Sequence, residues 1–354
     1  MNAQFTQHNL IFKQASGTSR GVLTTKETYL LEISKNGQKG IGECAIFRGL
    51  SYDDVPDYEE KLTWLCKNIN LDFEVLKKEL LHYPSIIFGL EQALLNLEHG
   101  EDLYFPSDFT DGKDSIKING LIWMGNADFM QSQIEEKLAK GFDCIKLKIG
   151  VDWKSEKEII KKLREKFPKE QLELRVDANG AFSYEEARMV LQELADLGIH
   201  SIEQPIKKSE VRSPKSEENS EKKSTDCCIP WNKMARLCAE TPTPIALDEE
   251  LIGIIDFEEK KKLLETIKPQ YIILKPALVG GFSGSDEWIA IAESLGINWW
   301  ITSALESNIG LNAICQYTYT KKNPLPQGLG TGALFTNNFE THLQLEGDQM
   351  WHKK

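Results

Sequence analysis

The stretch that decides the fold is CIKLKIG, residues 144–150, in which a short apolar run ends on Lys148 before a glycine. Four later runs have the same form and end on Asp177, Glu203, Asp248 and Lys275, in the sequences LRVDANG (174–180), SIEQP (201–205), IALDE (245–249) and IILKP (272–276). A parallel β/α barrel builds its active face from the carboxyl ends of its strands. The five charged residues therefore predict a barrel with one polar mouth.

Strand-like and helix-like patterns alternate from residue 115 onwards. The predicted strands lie at 116–123, 144–149, 172–177, 200–203, 244–248, 271–275 and 297–302. A helical pattern follows each of them, and a short eighth strand is predicted near 327–331. Seven strand–helix pairs and an eighth strand fit a barrel better than an open sheet, which would seldom be so long. The predicted fold class is α/β, a modified TIM barrel of the form (β/α)7β.

The first hundred or so residues follow a different pattern. Two strand-like runs, at 28–34 and 39–46, flank Asn36 and Gly37, and this pair is a strong hairpin signal. Amphipathic helices are predicted next, at 58–69, 73–81 and 85–98. A hairpin sheet followed by helices is an α+β arrangement. We predict an α+β capping domain at 1–110, completed by about 333–354, over a barrel domain at 111–332.

One segment is too polar to belong to the barrel. The interval between Glu203 and Asp248 is longer than its neighbours, and the excess falls on residues 207–226, where Val211 is the only aliphatic residue. Such a segment cannot bury enough apolar surface to offset its ordering entropy. We predict a mobile surface insertion near the barrel mouth. Two roles for this segment are considered: a lid over the mouth, or a solvent-exposed loop without function.

The bulk properties of the chain limit its partners. It has 354 residues and a formal net charge of −12 at pH 7, which argues against binding to nucleic acid or to an anionic membrane surface. No secretory signal and no run of about 18 apolar residues is visible. The seven scattered cysteines are typical of reduced thiols. We expect a cytoplasmic protein without membrane insertion that acts on a small molecule. Both a monomer and a homo-oligomer are compatible with the sequence.

Three acids follow consecutive strands and are expected to converge. Carboxylates that lie close together repel one another unless a cation lies among them. All-oxygen ligands with room for water and substrate suit Mg²⁺, for which Mn²⁺ can substitute, rather than zinc. A single acid of this kind is more simply explained as a helix cap, but three in register predict a metal site formed by Asp177, Glu203 and Asp248.

Three lysines are expected to face the same cavity. Lys146 and Lys148 are two positions apart in a strand and so point to one side, while Lys275 ends the sixth strand, across the barrel. A free lysine has a pKa of about 10.4. Neighbouring ammonium groups, a metal ion and partial desolvation would lower it and create a base. Proton abstraction beside a metal-bound carboxylate would give a stabilised enediolate. The alternative is that the lysines merely pair with the acids.

At these residues the chain resembles the enolase superfamily over nearly its whole length. A Lys-x-Lys pair on strand two and a lysine on strand six are typical of its muconate-lactonizing-enzyme subgroup. The mandelate racemase subgroup instead uses a histidine after strand seven, and no histidine occurs here between His200 and His342. The resemblance implies that Lys148 is the general acid/base, that Lys146 is its electrostatic neighbour and that Lys275 faces the opposite side of the substrate.

The resemblance also suggests a substrate class. Ser303 in TSALESNIG (302–310) suits a substrate carboxylate such as a succinyl tail, and so do the glycine N–H groups of GLGTG (328–332). The candidate contacts are Ser303, Asn179, Gly328 and Gly330, and the capping loops at 17–26 and 47–54 are expected to touch the substrate. GLGTG holds no acid for a substrate ammonium group. The resemblance implies a metal-dependent dehydration, and racemization of N-acyl (N-succinyl) amino acids or epimerization of dipeptides is the alternative.

Overall fold

A computed structural model describes residues 1–18, 21–123, 127–208 and 231–353. The predicted insertion at 207–226 lies outside these ranges except for its first two residues. No helix within the described ranges is long and apolar enough to cross a bilayer.

The chain begins with an antiparallel three-stranded sheet. Its strands are β1 (Asn2–Thr18), β2 (Gly21–Lys35) and β3 (Gln38–Cys44), in that order. The predicted hairpin between β2 and β3 is confirmed, and both Asn36 and Gly37 in its turn have positive φ, of 52° and 85°. A two-residue turn of this kind matches the twist of the strands that it joins. The long strand β1 was not predicted from the sequence.

Three helices cover one face of this sheet and confirm the predicted pattern. They are α1 (Tyr58–Asn68), α2 (Phe73–Glu79) and α3 (Pro84–His99). The helix α3 lies so close to β3 that a Cβ atom on Gly42 would be 2.0 Å from the carbonyl oxygen of Gly89. The close approach of α3 to β3 therefore requires glycine at position 42.

Seven parallel strands form a curled sheet. They are β5 (Gly120–Ile122), β6 (Cys144–Lys148), β7 (Glu173–Asp177), β8 (Ser201–Glu203), β9 (Ile245–Leu247), β10 (Tyr271–Leu274) and β11 (Asn298–Ile301). They lie in sequence order across the sheet. The sheet closes through Gln327, which bridges to Ile118, and Gly328, which bridges to Thr302. The predicted α/β barrel is confirmed, with its eighth strand reduced to these bridges.

The prediction of one continuous strand at 116–123 is wrong. Residues Ile116–Lys117 form β4, which pairs antiparallel with β13 (Gln349–His352), the second strand of a hairpin that begins with β12 (Leu343–Glu346). The N–H of Ile118 still bonds to Asp348, whereas the N–H of Asn119 bonds to Gln327 at the barrel seam. The chain thus changes hydrogen-bonding partners in the middle of one apolar run, which its side-chain pattern does not reveal.

Helices cover the outside of the barrel. They are α4 (Ala127–Ala139), α5 (Trp153–Lys166), α6 (Tyr184–Asp196), α7 (Asn232–Glu240), α8 (Phe257–Ile267), α9 (Pro276–Val279), α10 (Gly281–Ser294) and α11 (Asn308–Thr320). The sequence predicts one helix at 283–295, but the chain forms α9 first and turns at Gly280, which has a φ of 97°. A left-handed residue ends a helix, and glycine adopts that conformation without steric cost.

Two glutamates join the N-terminal part to barrel helices. Glu91 of α3 accepts hydrogen bonds from the N–H groups of Phe282 and Ser283 at the start of α10. Glu43 of β3 accepts from the N–H groups of Ser307 and Gly310 at the start of α11. Carboxylates are stabilised at helix N-termini, where N–H groups lack partners within the helix. These bonds seat the N-terminal sheet and its helices on the barrel.

Replacing Gly42 with alanine should destabilise the N-terminal part of the protein. The new methyl group would overlap backbone atoms of α3, which cannot move as a flexible side chain would, so we expect a loss of about 1–3 kcal/mol in the free energy of unfolding. Urea unfolding measures it. Gly330→Ala is the control, because a Cβ atom there meets its nearest neighbour at 3.5 Å. Equal stability of the two variants would contradict the prediction.

Candidate active site

The barrel strands converge on one cavity of about 840 Å³. Its wall includes most of the site residues predicted from the sequence, namely Lys146, Lys148, Asp177, Asn179, Glu203, Lys275, Ser303, Gly328 and Gly330. Phe47 and Leu50 also line it, and they belong to the predicted capping loop at 47–54. The structure therefore brings together side chains that lie far apart in the sequence.

Strand register explains why these side chains meet. Lys148 of β6 is the direct partner of Asp177 in β7, and Asp177 is the partner of Glu203 in β8. Partnered residues point to the same face of a sheet. The carboxylates of Asp177, Glu203 and Asp248 are each only 2% exposed. Three acids on adjacent strands are thus buried side by side.

Lysine ammonium groups alternate with these carboxylates. Nζ of Lys146 donates to Oε2 of Glu203 at 2.8 Å and lies 3.6 Å from Oδ2 of Asp177. Nζ of Lys148 donates to Oδ2 of Asp177 at 3.0 Å. Lys275, from the end of β10, donates to Asp248 and so joins this carboxylate to the cluster. Asp248 itself does not line the cavity. The buried charges therefore compensate one another through direct contacts.

The protein's own groups shift several pKa values in this cluster. Burial favours neutral lysines, but the neighbouring carboxylates outweigh it, so the pKa values of Lys146 and Lys275 lie above the ordinary value. Burial likewise opposes ionisation of Asp177, yet the lysines hold its pKa below the usual range. The lowering of lysine pKa values expected from the sequence assumed a bound metal ion; in the metal-free site, carboxylate attraction exceeds the repulsion between ammonium groups at Lys146 and Lys275.

The acids retain the properties of a cation site. Burial and the charge of Asp177 raise the pKa of Glu203 to about 7, and burial also raises that of Asp248. The Oε1 atom of Glu203 is buried and has no hydrogen-bond partner in the described part of the chain. A buried acceptor without a partner is costly and calls for a ligand. Carboxylate oxygens are the donors that Mg²⁺ and Mn²⁺ prefer, so the residues fit such an ion.

The lysines separate the acids in this arrangement. Among the described residues, the ligand oxygens of Asp177, Glu203 and Asp248 are not a group that all lie within 4.8 Å of one another. Lys146 bridges Asp177 and Glu203, which explains the separation.

Asn179 orients its charged neighbours. Its Oδ1 accepts a 2.6 Å bond from Lys148, its Nδ2 donates to Glu249, and its backbone N–H donates to Asp177. The residue has a φ of 44°, which asparagine tolerates better than most residues do. Gln204, at the end of the next strand, is also left-handed, with a φ of 39°. Backbone strain of this kind concentrates at functional sites.

Two predicted substrate contacts have other partners. The hydroxyl of Ser303 donates to Glu306 at 2.6 Å and accepts from Thr331 and from the N–H of Leu305. A serine hydroxyl has one proton to donate, so none is left for a substrate carboxylate in this arrangement. The N–H of Gly328 bonds to Ile301 and closes the barrel. These roles of Glu306 and Thr331 were not predicted: Glu306 lies three residues after Ser303 in the same loop, and Thr331 reaches Ser303 from the segment that closes the barrel.

Further lining residues were also missed. Asn119, Leu121 and Trp123 reach the cavity from β5 and its flanks, and Thr302 reaches it from the end of β11. Asn119 carried a usable signal, because it is a polar residue inside an otherwise apolar run and is only 4% exposed.

Comparisons with known proteins agree with this fold. The family model described as "Enolase C-terminal domain-like" matches residues 130–216 and 226–349. The chain belongs to the enolase superfamily. This family membership confirms the resemblance stated from the lysine and acid motifs.

Individual relatives narrow the comparison. The chain is 41% identical to o-succinylbenzoate synthase of Desulfotalea psychrophila over 380 aligned residues, which cover 98% of each protein. The crystal structure of MenC from the same organism matches with a TM-score of 0.83 at 39% identity and covers 99% of each chain. The chain is also 33% identical to N-succinylamino acid racemase of Thermus thermophilus, over 83% of this chain and 75% of that protein.

Removing Lys146 should destabilise the metal-free protein. Lys146→Met leaves two buried carboxylates without their shared cation, and breaking a buried pair in this way costs about 3–5 kcal/mol. Urea unfolding in EDTA measures the loss. Lys140→Met is the matched control, because Lys140 pairs with Glu136 on the surface, where a pair contributes about 0–1 kcal/mol. A loss below about 1 kcal/mol in Lys146→Met would show that the cluster does not need this charge.

Proposed function

We propose that this chain is an o-succinylbenzoate synthase. The reaction is the syn-dehydration of 2-succinyl-6-hydroxy-2,4-cyclohexadiene-1-carboxylate, a step of menaquinone biosynthesis. The observation that carries the proposal is the placement of Lys148 and Lys275, which face one acidic cavity from β6 and from the end of β10. Identity of 41% over nearly the full length of a synthase from another organism supports it.

The acids would hold the metal. Asp177, Glu203 and Asp248 offer only oxygen donors, and Glu203 has a buried oxygen without a partner. Mg²⁺ bound there, or Mn²⁺ in its place, supplies the positive charge that stabilises an enediolate formed from the substrate carboxylate. The carboxylates alone would repel an anionic substrate, so the metal also makes its binding favourable.

Lys148 is the general acid/base of this proposal. Its neutral amine takes the proton from the carbon beside the substrate carboxylate. The resulting ammonium group returns a proton to the hydroxyl that leaves from the same face, so water departs and the ring becomes aromatic. Contacts with Asp177 and Asn179 hold the amine in place. One residue can perform both transfers because the elimination is syn.

Lys275 and Lys146 contribute charge rather than proton transfer. Lys275, hydrogen-bonded to Asp248, would face the opposite side of the substrate and stabilise the developing negative charge. Lys146 lies between Asp177 and Glu203 and adds a positive charge on the strand that carries Lys148. The cavity also contains Asn179, Ser303, Gly328 and Gly330, of which Asn179 and Ser303 orient their neighbours in the arrangement described above.

The second candidate is an N-acyl amino acid racemase. In that reaction Lys148 and Lys275 would exchange protons on opposite faces of the same carbon, through a similar enediolate. Identity of 33% to a Thermus thermophilus N-succinylamino acid racemase favours it over unrelated activities. Dipeptide epimerization is a weaker fit, because GLGTG (328–332) contains no acid for a substrate ammonium group.

The wider setting follows from the same premises. We place the enzyme in the cytoplasm, with a small-molecule carboxylate as its partner and without nucleic acid, in line with its net charge of −12. Residues 1–110 with the C-terminal segment would form the capping domain over the barrel at 111–332. Phe47 and Leu50 would then close the mouth over bound substrate.

Substrate turnover separates the two candidates. The synthase reaction is followed by ultraviolet absorbance with Mg²⁺ and then with EDTA, and N-succinyl amino acids are tested by polarimetry. We expect fast dehydration that EDTA abolishes and slow or absent racemization. Racemization without dehydration would move the function to the second candidate. If the protein catalyses neither reaction, both candidate functions are contradicted.

Replacing either lysine should abolish dehydration. General acid–base catalysis contributes about 10²–10⁴-fold, so Lys148→Ala should lower kcat by at least about 100-fold. Lys275→Ala should also lower kcat, because the enediolate loses a charged partner. Lys140→Ala, at an exposed surface pair, is the control. Calorimetry should show that Mg²⁺ still binds both active-site variants. Near-normal turnover by either would contradict its assigned role.

A further inference from the structure

A second cluster of metal-ligating side chains lies outside the barrel mouth. Asp102 follows α3, His342 precedes β12, and His352 ends β13. Oδ2 of Asp102 lies 2.7 Å from Nδ1 of His342 and 3.0 Å from Nε2 of His352. One ligand atom from each residue lies within 4.8 Å of the other two. Segments some 240 residues apart in the sequence thus aim three ligand groups at one point.

Hydrogen bonds alone leave this cluster incomplete. Oδ1 of Asp102 is buried and has no hydrogen-bond partner in the described ranges, so this carboxylate has a free oxygen beside the two imidazoles. Both imidazoles are hydrogen-bonded to the same oxygen, Oδ2 of Asp102, so the three side chains are held together at one point. His352 is 0% exposed and packs between the rings of Phe109 and His342, which fixes its orientation.

We propose that Asp102, His342 and His352 bind a divalent transition-metal ion such as Zn²⁺. Two imidazoles and one carboxylate, with a fourth position open to water, form a common zinc ligand set. Imidazole nitrogen suits zinc, copper and nickel, whereas Mg²⁺ prefers oxygen. The ligand set therefore distinguishes this site from the carboxylates of the barrel mouth. The site does not depend on the proposed catalytic function.

Binding changes the tautomer of both rings. The nitrogens that donate to Asp102 must become lone-pair ligands, so their protons move to Nε2 of His342 and Nδ1 of His352. The His342 side chain is 43% exposed, so its Nε2–H can donate a hydrogen bond to water. The Nδ1–H of His352 has no acceptor among the described residues. Loss of such an outer partner weakens metal binding about 10- to 100-fold. We therefore expect Zn²⁺ to bind about 10- to 100-fold more weakly here than at a site where both imidazoles have such a partner.

The bound ion would join three parts of the fold. The carbonyl oxygen of Asp102 accepts 2.8 Å bonds from Asn312 and Gln316 of α11. His342 and His352 belong to the C-terminal hairpin, whose β13 pairs with β4. None of the three ligand residues lines the catalytic cavity. The ion would act as a clamp between the link after α3, the hairpin and a barrel helix.

The test is calorimetric titration of ZnCl₂ into the full-length protein in excess Mg²⁺, which keeps the barrel mouth occupied. We expect one Zn²⁺ per chain in the wild-type protein and at least tenfold weaker binding in His342→Ala. His342 is partly exposed, so its removal should leave the core intact. His82→Ala removes another exposed histidine and should bind like the wild type. Zn²⁺ should raise the Tm of the wild type and of His82→Ala, but not of His342→Ala.

Asp102→Asn provides an independent variant. It keeps the shape of the side chain but lacks the charge, so it should also lose Zn²⁺ binding. Absence of Zn²⁺ binding to the wild-type protein would overturn the proposal. Equal binding by the wild type and His342→Ala would overturn it as well, and inhibition of turnover by Zn²⁺ would then assign the ion to the barrel mouth.

Discussion

The buried contacts between lysines and carboxylates at the barrel mouth are the constraint on which the rest of this structure depends. Lys146, Asp177 and Glu203 are each less than a tenth exposed, and charges so placed are tolerable only in mutual contact. Their contacts require the register of β6, β7 and β8. A slip of one residue in any of these strands would turn its charge towards the covering helices. The fold and the chemistry therefore share one requirement.

A second constraint is the seating of the N-terminal sheet and helices over that mouth. Glu43 and Glu91 reach from this part of the chain to the N-termini of α11 and α10. Each carboxylate satisfies N–H groups that lack partners within their helices. Burial raises the pKa of Glu91 to about 7, despite the hydrogen bonds from Phe282 and Ser283. The same contacts place Phe47 and Leu50 in the wall of the barrel cavity, so part of this wall comes from the N-terminal segment.

Much of the barrel and its charged residues could be predicted because each depends on local pattern. An apolar run that ends on Asp177 or Lys275 identifies both a strand and its functional end. Other features depend on partners distant in sequence. Residues 116–123 are divided between two sheets because Asp348 accepts from the N–H of Ile118 and Gln327 accepts from the N–H of Asn119. No local period records such a change of partner. Ser303 lines the predicted cavity, but its hydroxyl proton is donated to Glu306 in the same loop, and Thr331 from a separate segment donates to it.

The amino-acid sequence by itself determined the fold class, the family and the identity of the charged residues at the mouth. Strand periodicity and the polarity of strand ends are written in consecutive residues, which is why these features could be read directly. Only the tertiary structure decided which groups touch. It placed Lys146 between two acids, used the N–H of Gly328 to close the barrel and brought Asp102 to His342 and His352. Such contacts depend on distances between segments that pack together only in the folded chain, and a linear pattern contains no such distances.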